Sequence, residues 1–370
     1  MNRELKPSFK KKISLNIFKH YTGVQSKLHD LKYLFWECTV RCNIKCLYCG
    51  SDCQIDDGSA DMPAVDFLKV TEQIKEYYNP NKLMIVLTGG EPLMRNDLEF
   101  VGQSLYKQGY PWGMVTNAFA LTEQKFQNLL KSGLRSITIS LDGLEAEHNW
   151  LRGRETSFQK AINAILIVAK QQDIAFDVAS CVNSRNIQHL QKLKDLLISL
   201  GVKCWRLFLI SPIGRAKYDE ELKISDVQFY ELIEFIKQTR EEGKIELSFG
   251  CEGYMGKYEG EIRQGYFFCR AGINIASILN DGSISTCPNN SREVIQGNIY
   301  TDDFMKVWQN KYQIMRDKTW AKTGKCADCD SFDFCKGNGM HLHDFENNDV
   351  LVCHLEKLVN GMKLWKKQQK

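Results

Sequence analysis

Five cysteines fall within sixteen residues, at positions 38, 42, 46, 49 and 53, directly after an apolar, aromatic run. That density asks for a metal. Several triples could be drawn from the five, but only Cys42, Cys46 and Cys49 give the order Cys-x-x-x-Cys-x-x-Cys, with the aromatic Tyr48 just before the last cysteine. Three thiolates on a short loop can bind three irons of a 4Fe–4S cube and leave the fourth iron without a protein ligand, whereas a structural zinc site is normally closed by four ligands. An open iron is a place for chemistry. The rival for this segment is a four-cysteine zinc knuckle completed by Cys38 or Cys53.

Cysteines return after residue 250. Cys269, Gly282 and Cys287 fall as Cys-x12-Gly-x4-Cys, and Cys326-x-x-Cys329-x5-Cys335 is followed after a gap by Cys353. Spacing alone again admits a four-cysteine zinc site. Cys181 and Cys204, at expected strand ends, read as buried small apolar residues.

Something must hold the first loop in place. Segments of strand length, over 34–38, 83–88, 113–116, 136–141, 175–182 and 205–210, alternate with segments of helical period over 65–78, 98–107, 123–131, 158–170, 190–200 and 227–240. Such alternation requires right-handed parallel crossovers, hence an α/β fold that is either an open doubly wound sheet or a barrel. In either, functional residues sit where strands end and loops begin. The ends here carry Thr88-Gly89-Gly90-Glu91-Pro92, Thr116-Asn117, Ser140-Leu141-Asp142-Gly143, Cys181-Val182-Asn183 and Ser211-Pro212-Ile213-Gly214-Arg215. Two adjacent glycines leave backbone groups open to the close approach of an amino-acid moiety, and Glu91 can accept from an ammonium. Taken singly, each of these is as readily a turn or capping residue.

Composition sets the outer limits. With 370 residues, 43% hydrophobic and 25% charged, the chain is large enough for one big domain and a smaller one. The start is polar, no apolar signal core follows, and no run of about 18 apolar residues could span a bilayer. A cytoplasmic protein without stable membrane insertion is expected, and clustered cysteines there are metal ligands rather than disulfides. The net charge of +4 is modest and concentrated in the ends, over 6–12 and 363–370. No basic stripe interleaved with aromatics speaks for nucleic acid. The basic, partly apolar opening could lie on an anionic membrane or grip an acidic peptide, solvated ends being the plainer explanation.

The spacing of Cys42, Cys46 and Cys49 with Tyr48 resembles the signature of the radical S-adenosylmethionine (SAM) superfamily, and Gly89-Gly90-Glu91 one strand later matches its motif for the SAM amino group. In that family the open iron is chelated by SAM, which an electron from the cluster cleaves to methionine and a 5'-deoxyadenosyl radical. The resemblance implies a partial (β/α)6 TIM-like barrel with the cluster loop after strand one. Asn117, Ser140 and Asp142 resemble positions that hold the SAM ribose and carboxylate. His148 and Arg152 resemble the segment that follows, with the Arg152 fork suited to clamp a carboxylate.

The later cysteines resemble the SPASM extension of radical SAM enzymes that modify peptides and proteins, a small cysteine-rich domain with up to two auxiliary 4Fe–4S clusters. Cys326, Cys329, Cys335 and Cys353 make one complete set. Cys269 and Cys287 belong to the other, whose pattern wants a cysteine where Gly339 stands; Cys251, His341 or His343 could complete it, or it keeps an open iron or is absent. The implied organisation is a basic segment over 1–30, the barrel over 31–245, the SPASM-type domain over 246–360 and a basic tail over 361–370.

The resemblance implies a peptide maturase forming an oxidative crosslink in a peptide or small protein, supplied with electrons by a flavodoxin or ferredoxin. The run 34–39 with Cys49-Gly50-Ser51-Asp52-Cys53 looks like a subgroup with small lipoprotein or peptide partners. So little chain precedes the first strand that leader recognition is expected from another chain or the barrel rim. The anaerobic sulfatase-maturing enzymes are the nearest alternative, but they carry an aspartate, read as a catalytic base, where Pro288 follows Cys287 here. A non-catalytic iron-sulfur or zinc scaffold is the alternative of another class.

Overall fold

The sheet that carries the site is amphipathic in an unusual direction. In the computed structural model, which describes residues 5–51, 53, 60–250, 252–288, 290 and 292–369, a first helix, α1 (Phe9–Leu28), leads into β1 (Tyr33–Thr39). The strands β2 (Met84–Gly89), β3 (Trp112–Thr116), β4 (Leu134–Ser140), β5 (Ala175–Val182), β6 (Cys204–Leu209) and β7 (Glu246–Phe249) follow it in order, each parallel to its neighbour. One row of their side chains, including Ile85, Ile137, Val178, Trp205 and Leu247, is fully buried in the main core with the helices. The alternate row holds Thr138, Ser140, Asp177, Arg206 and Ser248. A parallel sheet with a polar row is not covered by helices on both faces. The polar row lines a lumen instead, where Thr138 donates to Asp177 (2.7 Å) and Arg206 donates to both.

The crossovers are α2 (Ala64–Ile74), α3 (Leu98–Gln108), α4 (Glu123–Lys131), α5 (Glu145–Arg152) with α6 (Ser157–Val168), α7 (Leu190–Ser199) and α8 (Asp226–Glu242). The α/β alternation expected from the sequence is present, with a seventh parallel strand, β7, and the short α5 in addition.

The cysteine-rich part continues the same sheet. β8 (Ile275–Ile278) pairs parallel with β1, and β9 (Ser283–Ser285) and β10 (Gly297–Asn298) follow antiparallel, giving one ten-stranded sheet of order β10-β9-β8-β1-β2-β3-β4-β5-β6-β7. Beyond it come α9 (Phe304–Asn310), α10 (Gln313–Arg316), α11 (Phe332–Cys335) and α12 (His354–Gln368), the last lying along α8. The opening basic segment is therefore not a solvated end: α1 docks through Leu15, and its Lys11 and Lys19 pair with Glu261 and Asp333. Among the described residues no helix is long and apolar enough to cross a membrane.

Candidate functional site

The loop after β1 is gripped from four strand ends. Its entry is fixed by Arg95, a buried side chain that donates to the carbonyls of Cys38 (2.6 Å) and Met62 (3.1 Å). From β2, the amides of Gly90 and Glu91 donate to the carbonyls of Thr39 (2.7 Å) and Arg41 (2.9 Å). Gly89 has φ +130°, and a Cβ on Gly90 would overlap the Arg41 carbonyl, so only glycine allows this approach. The two amides are thus engaged by the chain itself. An ammonium is a donor and would meet the carbonyl oxygens of this turn.

Glu91 is fully buried. Oε1 accepts from Leu93 N–H (3.1 Å) and Thr116 Oγ1 (2.6 Å), and Oε2 accepts from Asn117 N–H (2.7 Å), joining the ends of β2 and β3. A carboxylate offers about four acceptor positions, so one is left for a ligand. Asn117 carries the connection on to the loop, donating to Asn43 (2.9 Å) and to Cys42 Sγ (3.6 Å).

On the β4 side Asp142 and Arg152 form a buried ion pair, Nε to Oδ2 at 2.6 Å. Arg152 also donates to Cys46 Sγ (3.6 Å) and lies 5.3 Å from the Tyr48 ring centre, while Tyr48 OH donates to Asp142 (3.3 Å). The fork expected to clamp a ligand carboxylate is here turned onto Asp142, because a buried guanidinium needs an anionic partner. Asp142 accepts in addition from the Cys181 amide (2.9 Å). His148 orients it: Nδ1 accepts the Asp142 N–H (3.1 Å) and Nε2 contacts Ser157 Oγ (3.0 Å). Burial and the Arg152 charge push His148 down to about 4, so it acts as a neutral imidazole. Ser140 ends β4 half-buried and takes no part in this side-chain network among the described residues.

The fourth grip comes from beyond β6. Arg215 donates from Nε to the Cys46 carbonyl (2.7 Å) and from another nitrogen to the Cys53 carbonyl (3.0 Å), and its amide donates to the Cys49 carbonyl (3.1 Å). Gly214 has φ +55° and lies against the carbonyls of Cys49 and Gly50, where a Cβ would not fit. Sequence reading placed this segment at a strand end without giving Arg215 a role. Its charge and the glycine before it were the available signal.

Cys46 and Cys49 are near enough to Cys42 to raise its proton affinity, and Cys49 does the same to Cys46. Burial pushes Cys42 up to about 11 and Cys46 upward, whereas hydrogen bonds from Cys53 pull Cys49 down to about 6. Ligation requires thiolates, so loading this site releases protons. Cys38 is buried in the main core, and the Cys53 amide donates to Cys49 Sγ (3.4 Å).

In the second half Cys326, Cys329, Cys335 and Cys353 come together, each within electrostatic reach of another; burial pushes Cys326 to about 11 and Cys335 to about 12. Cys269 and Cys287 line a cavity of about 700 Å³ that opens from the lumen and that His341 also lines. His343 is turned elsewhere, against Trp320 and Phe345 (ring centres 4.5 and 5.0 Å), bonded to Asn348 (3.2 Å). The Gly339 amide donates to the Glu252 carbonyl (3.0 Å), and Cys251 lies outside the described residues. None of the thirteen described cysteines is in a disulfide. Among the described residues no three His, Cys, Asp or Glu side chains gather as around a single metal ion. The thiol sets fit cluster ligation instead, as buried soft donors with cations at their edges.

Sequence reading also passed over Glu252. It is buried just past β7, with Oε1 accepting from Leu209 N–H (2.6 Å), Oε2 unpartnered 3.4 Å from His354 Nε2, and burial raising it to about 8.

Residues 36–197 match the family model of the radical SAM superfamily, and residues 269–330 that of SPASM, an iron-sulfur cluster-binding domain. AdoMet-dependent heme synthase of Methanosarcina barkeri is 26% identical over 328 residues, 83% of this chain and 90% of its own. Mycofactocin maturase MftC of Mycolicibacterium smegmatis is 26% identical over 313 residues, 83% and 77% of the two chains. Among solved structures, Streptococcus suis SuiB bound to S-adenosylmethionine superposes with a TM-score of 0.67 at 20% identity, over 85% of this chain and 75% of that one. Native anSMEcpe with bound AdoMet and the Cp18Cys peptide gives 0.69 at 18% identity, over 92% and 97%. These two share the fold.

Proposed function

The chain is a radical SAM enzyme with a C-terminal SPASM domain, and on that premise we propose that it is a maturase that oxidatively modifies a peptide or small protein. Cys42, Cys46 and Cys49 would hold a 4Fe–4S cluster, which when bound would supply the electron for reductive cleavage of SAM. The chain's own part is positioning. The Gly89–Gly90 turn, Asn117, Arg152 and Arg215 hold the cysteine loop rigid from different strand ends. The turn's carbonyls and the remaining acceptor position of Glu91 receive the SAM ammonium, and Tyr48, Asp142 and Arg152 close the β4 side against water.

The observation that carries the peptide reading is the lumen. Its cavity lies toward the starts of β1, β6 and β7, away from the cysteine loop at the strand ends, reaches Cys269 and Cys287, and is lined by both charges and by amides, among them Asp177, Arg206, Glu246, Gln264 and Asn290. A peptide brings a donor and an acceptor with almost every residue, which such a lining can satisfy. MftC is named a maturase, and SuiB and anSMEcpe have been captured with a precursor peptide and the Cp18Cys peptide. In this reading Cys326, Cys329, Cys335 and Cys353 would hold an auxiliary cluster, which would supply a site for electron exchange, and Cys269 and Cys287 would serve a second.

Anaerobically purified protein should be brown and, with dithionite and SAM, should release 5'-deoxyadenosine; the C42A/C46A/C49A variant should release none while keeping auxiliary iron. Coexpression with short precursors encoded beside the gene should shift a peptide's mass. An unchanged mass in SAM-cleaving preparations would end the peptide reading. A second reading rests on the heme synthase relative, which aligns over nearly its whole length; formation of heme by the same preparations, with no change in peptide mass, would select it.

A further inference from the structure

Helix α1 turns more of its large apolar side chains to solvent than to the core. Inward it offers buried Leu15 and half-buried Phe18; outward it presents Phe9, Ile13, Ile17, Tyr21, Val24 and Leu28, of which Phe9 is 82% exposed and Ile17 68%. At 100° per residue these six fall within one sector of about 120°, and the twenty residues extend it to about 30 Å. A straight apolar stripe of that length is not scattered surface hydrophobicity, and an exposed patch of such extent marks an interaction site.

Its charge narrows the occupant. From Leu5 to His29 the sequence has no Asp or Glu and six lysines. Lys11 and Lys19 fasten the inner face to Glu261 and Asp333, whereas Lys10, Lys12 and Lys27 make no ion pair among the described residues. On the same wheel Lys27 falls at one edge of the stripe and Lys10 about 20° inside the other, one near each end of the helix, where long stems can lie along apolar surface and lift the ammonium outward. We propose that α1 is a docking ridge for an anionic lipid surface. A convex stripe in one plane suits the headgroup boundary, into which an amphipathic helix sinks about 5–10 Å. A peptide helix needs a groove along its length; the shallow cavity between α1 and Tyr266 takes in Ile17 and Tyr21 alone of the six, and Phe9, Ile13, Val24 and Leu28 stand outside it. A second copy would set lysines against lysines across a two-fold axis.

The test is sedimentation of the full cluster-loaded chain with vesicles of phosphatidylcholine alone and of phosphatidylcholine with one part in about three phosphatidylglycerol. The ridge predicts partition to the anionic vesicles, weakened by salt, and little to the neutral ones. The I13S/I17S variant should lose at least about tenfold in partition, and K10Q/K12Q/K27Q roughly a hundredfold. All five positions are exposed, and unchanged iron content and melting temperature would show that both variants fold. Equal partition to the two vesicle types, or partition unaltered in both variants, overturns the proposal. So does absence of vesicle binding, with dimerisation or capture of an acidic helical peptide lost in the same variants assigning the stripe to those partners instead.

Discussion

The Asp142–Arg152 pair offers the sharpest perturbation of the first site. Both side chains are buried, 2.6 Å apart, and each has other contacts that fix it: Asp142 to the Cys181 amide, Arg152 to Cys46 Sγ. Removing one partner of such a pair leaves an uncompensated buried charge and costs about 3–5 kcal/mol, far above the 0–1 kcal/mol of an exposed pair. D142N and R152M should therefore each lower the melting midpoint of the cluster-free protein by roughly 6–10 °C, taking about 2 °C per kcal/mol for a chain of this size. The double variant leaves no lone charge, so its loss should fall short of the sum by at least about 2 kcal/mol. Iron content separates the two partners. In D142N the guanidinium still faces Cys46, and the first cluster should be retained better than in R152M, which removes the cation beside that thiolate. Additive losses of under about 1 kcal/mol each would refute the reasoning, since they would mean that the pair is solvated.

Three further outcomes follow from the same geometry. G90A, whose Cβ would overlap the Arg41 carbonyl, should displace the cysteine loop and remove the first cluster's iron while the auxiliary iron, counted in the same sample, remains. R215M deletes charged hydrogen bonds to the Cys46 and Cys53 carbonyls, each worth about 1.5–3 kcal/mol; iron should leave the first site several-fold faster under a chelator, without loss of fold by circular dichroism. Glu252 predicts a pH effect. Its folded pKa of about 8 stands above the ordinary 4.5, so the native state keeps a proton that the unfolded chain has released. Stability is full below about pH 4.5 and falls as pH rises to about 8, by about 5 kcal/mol in all. The groups facing it are Leu209 N–H, Arg263 and His354, and His354 is held neutral by burial with a pKa of about 3. E252Q, which cannot ionise, should flatten the fall in melting midpoint between pH 5 and 8.

What could be read from the sequence was what local chemistry dictates. The spacing of Cys42, Cys46 and Cys49, the glycine pair one strand later and the α/β alternation are each contained within a few residues or one period. What escaped depends on pairing between distant segments. β8, β9 and β10 have four, three and two residues, too short for any periodic signal, and they exist because β1 offers an open edge. Arg215 meets Cys46 across 169 positions. The glycines were legible, but the amides of Gly90 and Glu91, in a turn expected to be open to a ligand, hold the cysteine loop. The same limit governs the second half of the chain. Gly339 stands where the pattern wants a cysteine, and His341 and His343 are equivalent in sequence as substitutes. The turn at Met340–Leu342 separates them, setting His341 at the cavity that Cys269 and Cys287 also line and His343 against Trp320. Burial and the nearby Lys318 charge push His341 down to about 4, leaving it neutral. Two residues that sequence cannot tell apart are thus given different surroundings by segments far away in the chain.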